Sequence, residues 1–198
     1  MADKLVFYHN PMSRGRIVHW MLEEVGAPYE TKVVDLEKRE HKSPAYLAVN
    51  PMGKIPAIVH GDTVVTETAA ICAYLADAFP SAGLAPALGD HARGTYYRWL
   101  FFAAGCLEPA LVDRMLGRPP VEREGVLSYG NYESALGTLE KALAPGPWLL
   151  GERFCAADLY VGAQIGWGLR AKGLEPRPAF QKYLERCAQR PAYKRANG

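Results

Sequence analysis

Between Pro80 and Asp90 the chain is written mostly in Pro, Gly and Ala and loses all hydrophobic periodicity. Every convincing strand pattern lies before this stretch and none after it. Composition of this kind joins domains rather than crossing a core. A length of 198 residues leaves room for two compact units, each with its own core. The expected organisation is therefore an α/β domain over residues 1–80, a linker over 81–90 and an all-helical domain over 91–198.

In the first part, Lys4 to Tyr8 reads as a strand that His9-Asn10-Pro11 breaks. Ile17, Met21 and Val25 recur at helical spacing, Val18 and Leu22 widen the stripe, and Gly26-Ala27-Pro28 stops it, so a helix is expected over Ser13 to Val25. Its apolar face must cover a sheet. Tyr29 to Val34 is a second strand, Pro44 to Val49 a short helix, and Ile55 to Val59 with Thr63 to Val65 a hairpin. A helix over Glu67 to Ala78 completes the order βαβαββα. Beyond the linker, helices are expected over His91 to Leu116, Tyr129 to Leu143, Ala156 to Ala171 and Ala179 to Arg190. Pro109 is expected to kink the first of these, because proline removes one backbone hydrogen bond.

Charge and cysteine usage narrow the partners. A net charge of +2 and the absence of long like-charge runs leave no electrostatic footprint for nucleic acid or an anionic membrane, which favours small molecules. The apolar stretch at the start is too short for a signal segment, and none further on is long enough to span a bilayer, so a cytoplasmic protein is expected. Cys72, Cys106, Cys155 and Cys187 are widely spread and contain no Cys-x-x-Cys pair, which reads as buried or neutral thiols in a reducing compartment. The five histidines, His9, His19, His41, His60 and His91, show no metal-ligand spacing, and no metal is expected. Gly53-Lys54 lacks both the earlier glycine and the following Ser or Thr of a phosphate loop.

Three motifs carry a family resemblance. Asn50-Pro51-Met52-Gly53-Lys54-Ile55-Pro56-Ala57-Ile58 resembles the turn into the third strand of the glutathione transferases of the soluble, cytosolic type. Thr66-Glu67-Thr68 is similar to that family's Glu-Ser pair, with Thr in place of Ser. Phe154-Cys155-Ala156-Ala157-Asp158 is similar to its helix-capping box, with Cys in place of Ser or Thr. A thiol is a weak acceptor, so this cap is expected to rest mainly on Asp158 reaching back to the residue 155 amide. The resemblance runs over nearly the whole chain and implies a thioredoxin-like first domain with a mixed sheet, followed by the all-helical one.

The resemblance also implies a binding site. The Ile55-Pro56 bond would be cis, turning the Ile55 amide and carbonyl outward to pair with an extended peptide such as glutathione. Thr68, at a helix N-terminus, would hold the γ-glutamyl carboxylate while Glu67 faces the ammonium. His41 and Lys42 resemble a pair that contacts the glycine carboxylate in the plant-type branch, and Lys54 would add a second cation.

A thiol with a pKa of about 8.5 is mostly protonated at neutral pH, so one hydroxyl must stabilise the thiolate. Ser13 matches the Pro-x-Ser position of the serine-type branches. Tyr8 is the rival, because Tyr8-His9-Asn10 followed by Arg14-Gly15-Arg16 resembles the tyrosine branch with two extra residues. No cysteine stands between His9 and Arg16, which favours conjugation or peroxide reduction over mixed-disulfide exchange. The implied reaction is attack of glutathione, as co-substrate, on a small apolar electrophile or peroxide. Met12, the stretch Tyr96 to Phe102, and Met115 or Leu116 would meet that second substrate, and the implied assembly is a homodimer. The alternatives are a non-catalytic glutathione-binding or docking module and a glutathione-dependent isomerase or dehalogenase.

Overall fold

A computed structural model describes residues 3–198. The first strand, β1 (Leu5–His9), is central: it pairs in parallel with β2 (Glu30–Val33) and antiparallel with β3 (Ala57–His60). β3 pairs antiparallel with β4 (Thr63–Thr66), giving a mixed four-stranded sheet in the order β2-β1-β3-β4. Phe7 and Ile58 sit opposite each other in the register, and both are fully buried. β2 is exposed along its length, and Glu30 and Lys32 put charge on that edge, which discourages pairing with other chains.

Helix α1 (Gly15–Val25) buries Ile17, Val18, Trp20, Met21 and Leu22, and ends on left-handed Gly26, whose N–H donates to the Leu22 carbonyl. The short α2 (Pro44–Leu47) follows β2, and α3 (Thr68–Ala78) follows β4. The expected order βαβαββα is the observed one. Both flanking helices start later than expected. α1 opens at Gly15 rather than Ser13, because Asn10 draws Ser13 into a turn, and α3 opens at Thr68 with Glu67 outside it.

In the helical unit the single kinked helix expected over His91 to Leu116 is three pieces. They are α4 (Ala92–Phe102), a π-helical segment (Ala103–Leu107) and α5 (Glu108–Met115). Pro109 has no N–H to offer the carbonyl four residues back, that of Gly105. The chain widens into the π-helical segment just before the proline, and the Ser128 hydroxyl donates to the Gly105 carbonyl in place of the missing amide. α6 (Tyr132–Leu143) is capped by the Asn131 side chain accepting from Ser134 N at 2.8 Å. α7 (Ala156–Arg170) is the central helix of this unit, buried at Asp158, Tyr160, Val161 and Ile165, and α8 (Pro178–Gln189) packs beside it.

A further helix, α9 (Pro191–Asn197), was not separated from the second domain by its sequence. The chain divides into one unit that runs through Gly83 and takes in Pro191–Gly198, and a second over Leu84–Arg190. α9 lies on α1: Tyr193 stacks edge-on against Trp20 at 4.9 Å, and Arg195 donates to the Glu23 carboxylate at 2.7 Å and carbonyl at 2.9 Å.

The start of α7 departs from the expected cap in one respect. Asp158 accepts from the Cys155 amide at 2.9 Å as anticipated, but the Cys155 thiol donates to the same carboxylate at 3.0 Å. Leu149 N at 2.7 Å and Tyr183 OH at 2.6 Å complete four donors around one fully buried carboxylate. Burial pushes its pKa up, and the four donors oppose that shift. Asp158→Asn turns an amide donor toward these donors, so it should destabilise the protein by roughly 2–4 kcal/mol in a denaturant titration, the range for breaking a buried polar network.

Candidate functional site

Strand register gathers the candidate residues. Tyr8 pairs with Ala57 and Ala57 with Thr66, so the C-terminal ends of β1 and β4 meet the N-terminal end of β3. The turn holding Ser13, the segment holding Ile55 and Pro56, and the Glu67-Thr68 step all emerge from that end of the sheet.

In the first of these loops Asn10 organises the backbone. Its Nδ2 donates to the Val34 carbonyl at 2.9 Å, its Oδ1 accepts from Met12 N at 2.8 Å, and its carbonyl accepts from Ser13 N at 3.0 Å. The Ser13 hydroxyl donates to the same carbonyl at 2.7 Å and accepts from Gly15 N, the first residue of α1, at 3.0 Å. Gly15 must be glycine: a Cβ there would lie 2.6 Å from His9 Nδ1 and 3.0 Å from Ser13 Oγ. Met12 is 88% exposed beside them.

Tyr8 packs instead on α2, its ring 5.6 Å from that of Tyr46 and 5.5 Å from the Lys32 ammonium. Alternation along β1 places His9 on the opposite face, over Phe7 and next to His19.

The second loop is held from within. Asn50, 2% exposed, accepts from Met52 N through Oδ1, and its Nδ2 donates to the Lys54 carbonyl at 2.9 Å. Tyr46 OH donates to that carbonyl at 2.6 Å, and burial, with Tyr8 nearby, pushes the phenol up to about 12. The Ile55-Pro56 bond is cis. Among the described residues no other backbone group bonds to Ile55, so its amide and carbonyl are available to a ligand. Lys42 Nζ donates to the Met52 carbonyl at 3.0 Å, bracing this loop, and Gly53, at φ 59, leaves room for it. A Cβ on Gly53 would sit 2.7 Å from both Lys42 Nζ and the His41 carbonyl. The Lys54 side chain is exposed, and His41 Nδ1 is buried without a partner.

The third element carries backbone strain. Glu67 has φ 64 and ψ 117, and its carboxylate makes no cap hydrogen bond to α3. A non-glycine residue held there costs of order 1–3 kcal/mol. An ordinary N-cap would adopt extended backbone and use its side chain on the helix, so Glu67 is not one. Thr68 is buried at the first position of α3.

Asn10, Tyr46 and Asn50 are the site residues that sequence reasoning missed. Asn50 had a signal in the Asn-Pro-Met-Gly turn, whereas nothing local distinguishes Tyr46 from a core aromatic. Of the second-substrate candidates in the helical unit, Tyr96, Trp99 and Leu100 are core, while Phe101, Met115 and Leu116 are exposed.

Comparison with known proteins finds relatives over nearly the whole chain. Residues 4–77 match the model of the glutathione S-transferase N-terminal domain. Glutathione S-transferase GstA of Escherichia coli O157:H7 is 31% identical over 93% of this chain and 92% of its own. Glutathione S-transferase 3 of Zea mays is 31% identical over 96% and 92%. A glutathione transferase crystal structure from Methylococcus capsulatus superposes with a TM-score of 0.80 at 32% identity, covering 97% of this chain and 96% of that one. A sphingomonad glutathione S-transferase complexed with glutathione gives 0.78 at 33% identity, covering 96% of each chain.

Beside Ser13 one group sets a pH limit. Burial, then the charges of His19 and Arg16, lower the His9 pKa from 6.5 to about 4. The unfolded chain takes up this proton near 6.5 and the folded chain only near 4, so the stability His9 contributes is complete above 6.5 and is lost as pH falls to 4. Thermal melts should drop across that interval, and His9→Gln should flatten the slope there.

Proposed function

This chain belongs to the glutathione S-transferase family, and from that premise we propose how its first unit grips glutathione and activates the thiol. The protein is a glutathione transferase. Thr68 and the first amides of α3 take the γ-glutamyl carboxylate, and the uncommitted Glu67 carboxylate takes the ammonium. The Ile55 amide and carbonyl pair with the cysteinyl backbone of the tripeptide next to Pro56. Lys54, with His41 and the remaining donors of Lys42, faces the glycine carboxylate.

The observation that carries the assignment of the sulfur is the Ser13 hydroxyl, held by the first amide of α1 while its proton rests on a neutral carbonyl. A bond to a neutral acceptor is worth about 0.5–1.5 kcal/mol and one to a charged group about 1.5–3. Turning the proton onto sulfur therefore gains about 1–1.5 kcal/mol, or roughly one pKa unit. A thiol of pKa about 8.5 then falls to about 7.5, and its thiolate fraction at pH 7 rises from about 3% to about 25%. The N-terminus of α1 adds a smaller favourable share. The thiolate gives its electron pair to the electrophilic atom of a small apolar substrate or peroxide, and the leaving group departs with the pair it shared.

Tyr8 is the weaker candidate because its ring is committed to Tyr46 and Lys32. Ser13→Ala should lower turnover about 10- to 1000-fold, the loss of one charge-assisted donor, with glutathione affinity within a few-fold. Tyr8→Phe should be nearly silent. The reverse pattern transfers the role to Tyr8.

The working environment is a reducing compartment, the cytoplasm, since Cys72, Cys155 and Cys187 are buried cysteines outside any disulfide and the co-substrate is itself a reduced thiol. No helix of the described residues is long and apolar enough to cross a membrane. The assembly is a twofold homodimer, in which an isologous contact closes on itself. Light scattering at micromolar concentration should return twice the 21.8 kDa chain mass, and a monomer mass overturns this.

A further inference from the structure

We propose that Asn10 is the positioning residue of the reaction: its side chain fixes the carbonyl on which the Ser13 hydroxyl rests and from which it turns to the glutathione sulfur. The inference rests on the assignment of Ser13 to the thiol. Every polar atom of Asn10 beyond its own amide is in use. Nδ2 reaches across to the Val34 carbonyl at the end of β2, and Oδ1 takes the Met12 amide. The peptide carbonyl between them is thereby held from both sides and accepts twice from Ser13, through nitrogen and through Oγ.

Two fixed partners define where Oγ stands. Gly15 N donates to it from α1, and the Asn10 carbonyl accepts from it. When the thiolate arrives, only the hydroxyl hydrogen needs to move. The oxygen keeps its bond from Gly15, and its proton swings from a neutral acceptor to an anionic one, as the stronger bond dictates. Without the Asn10 side chain, the Met12 amide loses its acceptor, the link to Val34 is gone, and the carbonyl is free to tilt. Oγ then has one fixed partner instead of two. Preorganisation of the donor is lost while the groups that grip the peptide are untouched. No charge changes in the turn, where Arg14 and Arg16 keep theirs and His9, lowered to about 4, is neutral near pH 7. A shift in thiol ionisation therefore reports donor geometry and not a new electrostatic field.

The test is the apparent pKa of glutathione bound to the full-length protein, read from thiolate absorbance, in wild type, Asn10→Ala, Ser13→Ala and the double variant. Asn10→Ala should raise that pKa by about 0.5 unit or more and lower turnover roughly 3- to 30-fold, the scale of one or two neutral hydrogen bonds. Glutathione affinity should stay within about 2-fold, since Ile55, Glu67 and Thr68 are unchanged. In the Ser13→Ala background the same substitution should shift the pKa no further, because Asn10 acts through that hydroxyl. Asn10→Ser, which keeps a short acceptor for the Met12 amide, should fall between wild type and Asn10→Ala, and serves if Asn10→Ala does not fold. A wild-type pKa in Asn10→Ala or Asn10→Ser, or an equal shift with and without Ser13, overturns the proposal while leaving the Ser13 assignment standing. A wild-type pKa in Ser13→Ala overturns both.

Discussion

The register of β1 against β3 is the constraint on which the rest depends. Tyr8 faces Ala57 and Ala57 faces Thr66, and from those pairings alone three loops far apart in sequence must leave the sheet at one end. A slip of one residue would turn Phe7 and Ile58, both fully buried, to the opposite faces, so the hydrophobic core enforces the register and the register assembles the site. Placing polar loops at a sheet end is how a rigid scaffold can hold reactive groups without burying unsatisfied backbone.

Within that end the polar side chains divide into those that hold and those that wait. Asn10, Tyr46, Asn50 and Lys42 spend hydrogen bonds on loop backbone, most of them on carbonyls. Glu67, by contrast, makes no cap bond and sits at φ 64 on a strained backbone, and Ile55 keeps its amide and carbonyl unspent. Strain at a residue whose side chain does nothing for its own helix is a cost that the fold alone does not explain. Ser13 stands between the two classes, its oxygen accepting from Gly15 N and its hydrogen donated to a neutral carbonyl.

Much of this was legible in the sequence where a local rule had no competitor. The hairpin around Gly61-Asp62, the alternation of strands and helices before Pro80 and the cap at Asp158 each follow from short-range chemistry. The readings that moved did so where a hydrogen-bond partner that no residue pattern encodes intervened. Ser13 reads as a helix start until Asn10 takes its amide and hydroxyl, and the turn before Pro109 reads as ordinary α-helix where the chain is π-helical and Ser128 supplies a donor to Gly105. The Cys155 cap was expected to rest mainly on Asp158 because thiols accept poorly; both halves of the box are formed, and the thiol also donates to the Asp158 carboxylate inside the core. Asn10 and Tyr46 could not be singled out, since what makes them important is the carbonyl each one meets and not the residues beside them.

The C-terminal helix shows the same principle at the longest range. α1 carries the reactive turn at its start, and its far end has carbonyls that no residue of the helix can satisfy. Gly26 takes one of them by curling back to Leu22, and Arg195, 172 residues away along the chain, takes the carbonyl of Glu23 together with its carboxylate. The Glu23 pKa is lowered chiefly by that bond, so the anchor is fully formed above the ordinary carboxylate range and loosens as acid protonates Glu23. Arg16, one position into α1 from Gly15, is tied at the other end of the same surface to Asn197 at 3.1 Å. The helix that presents an amide to Ser13 is therefore held near both ends by α9, and the unit it belongs to takes in the segment after Arg190.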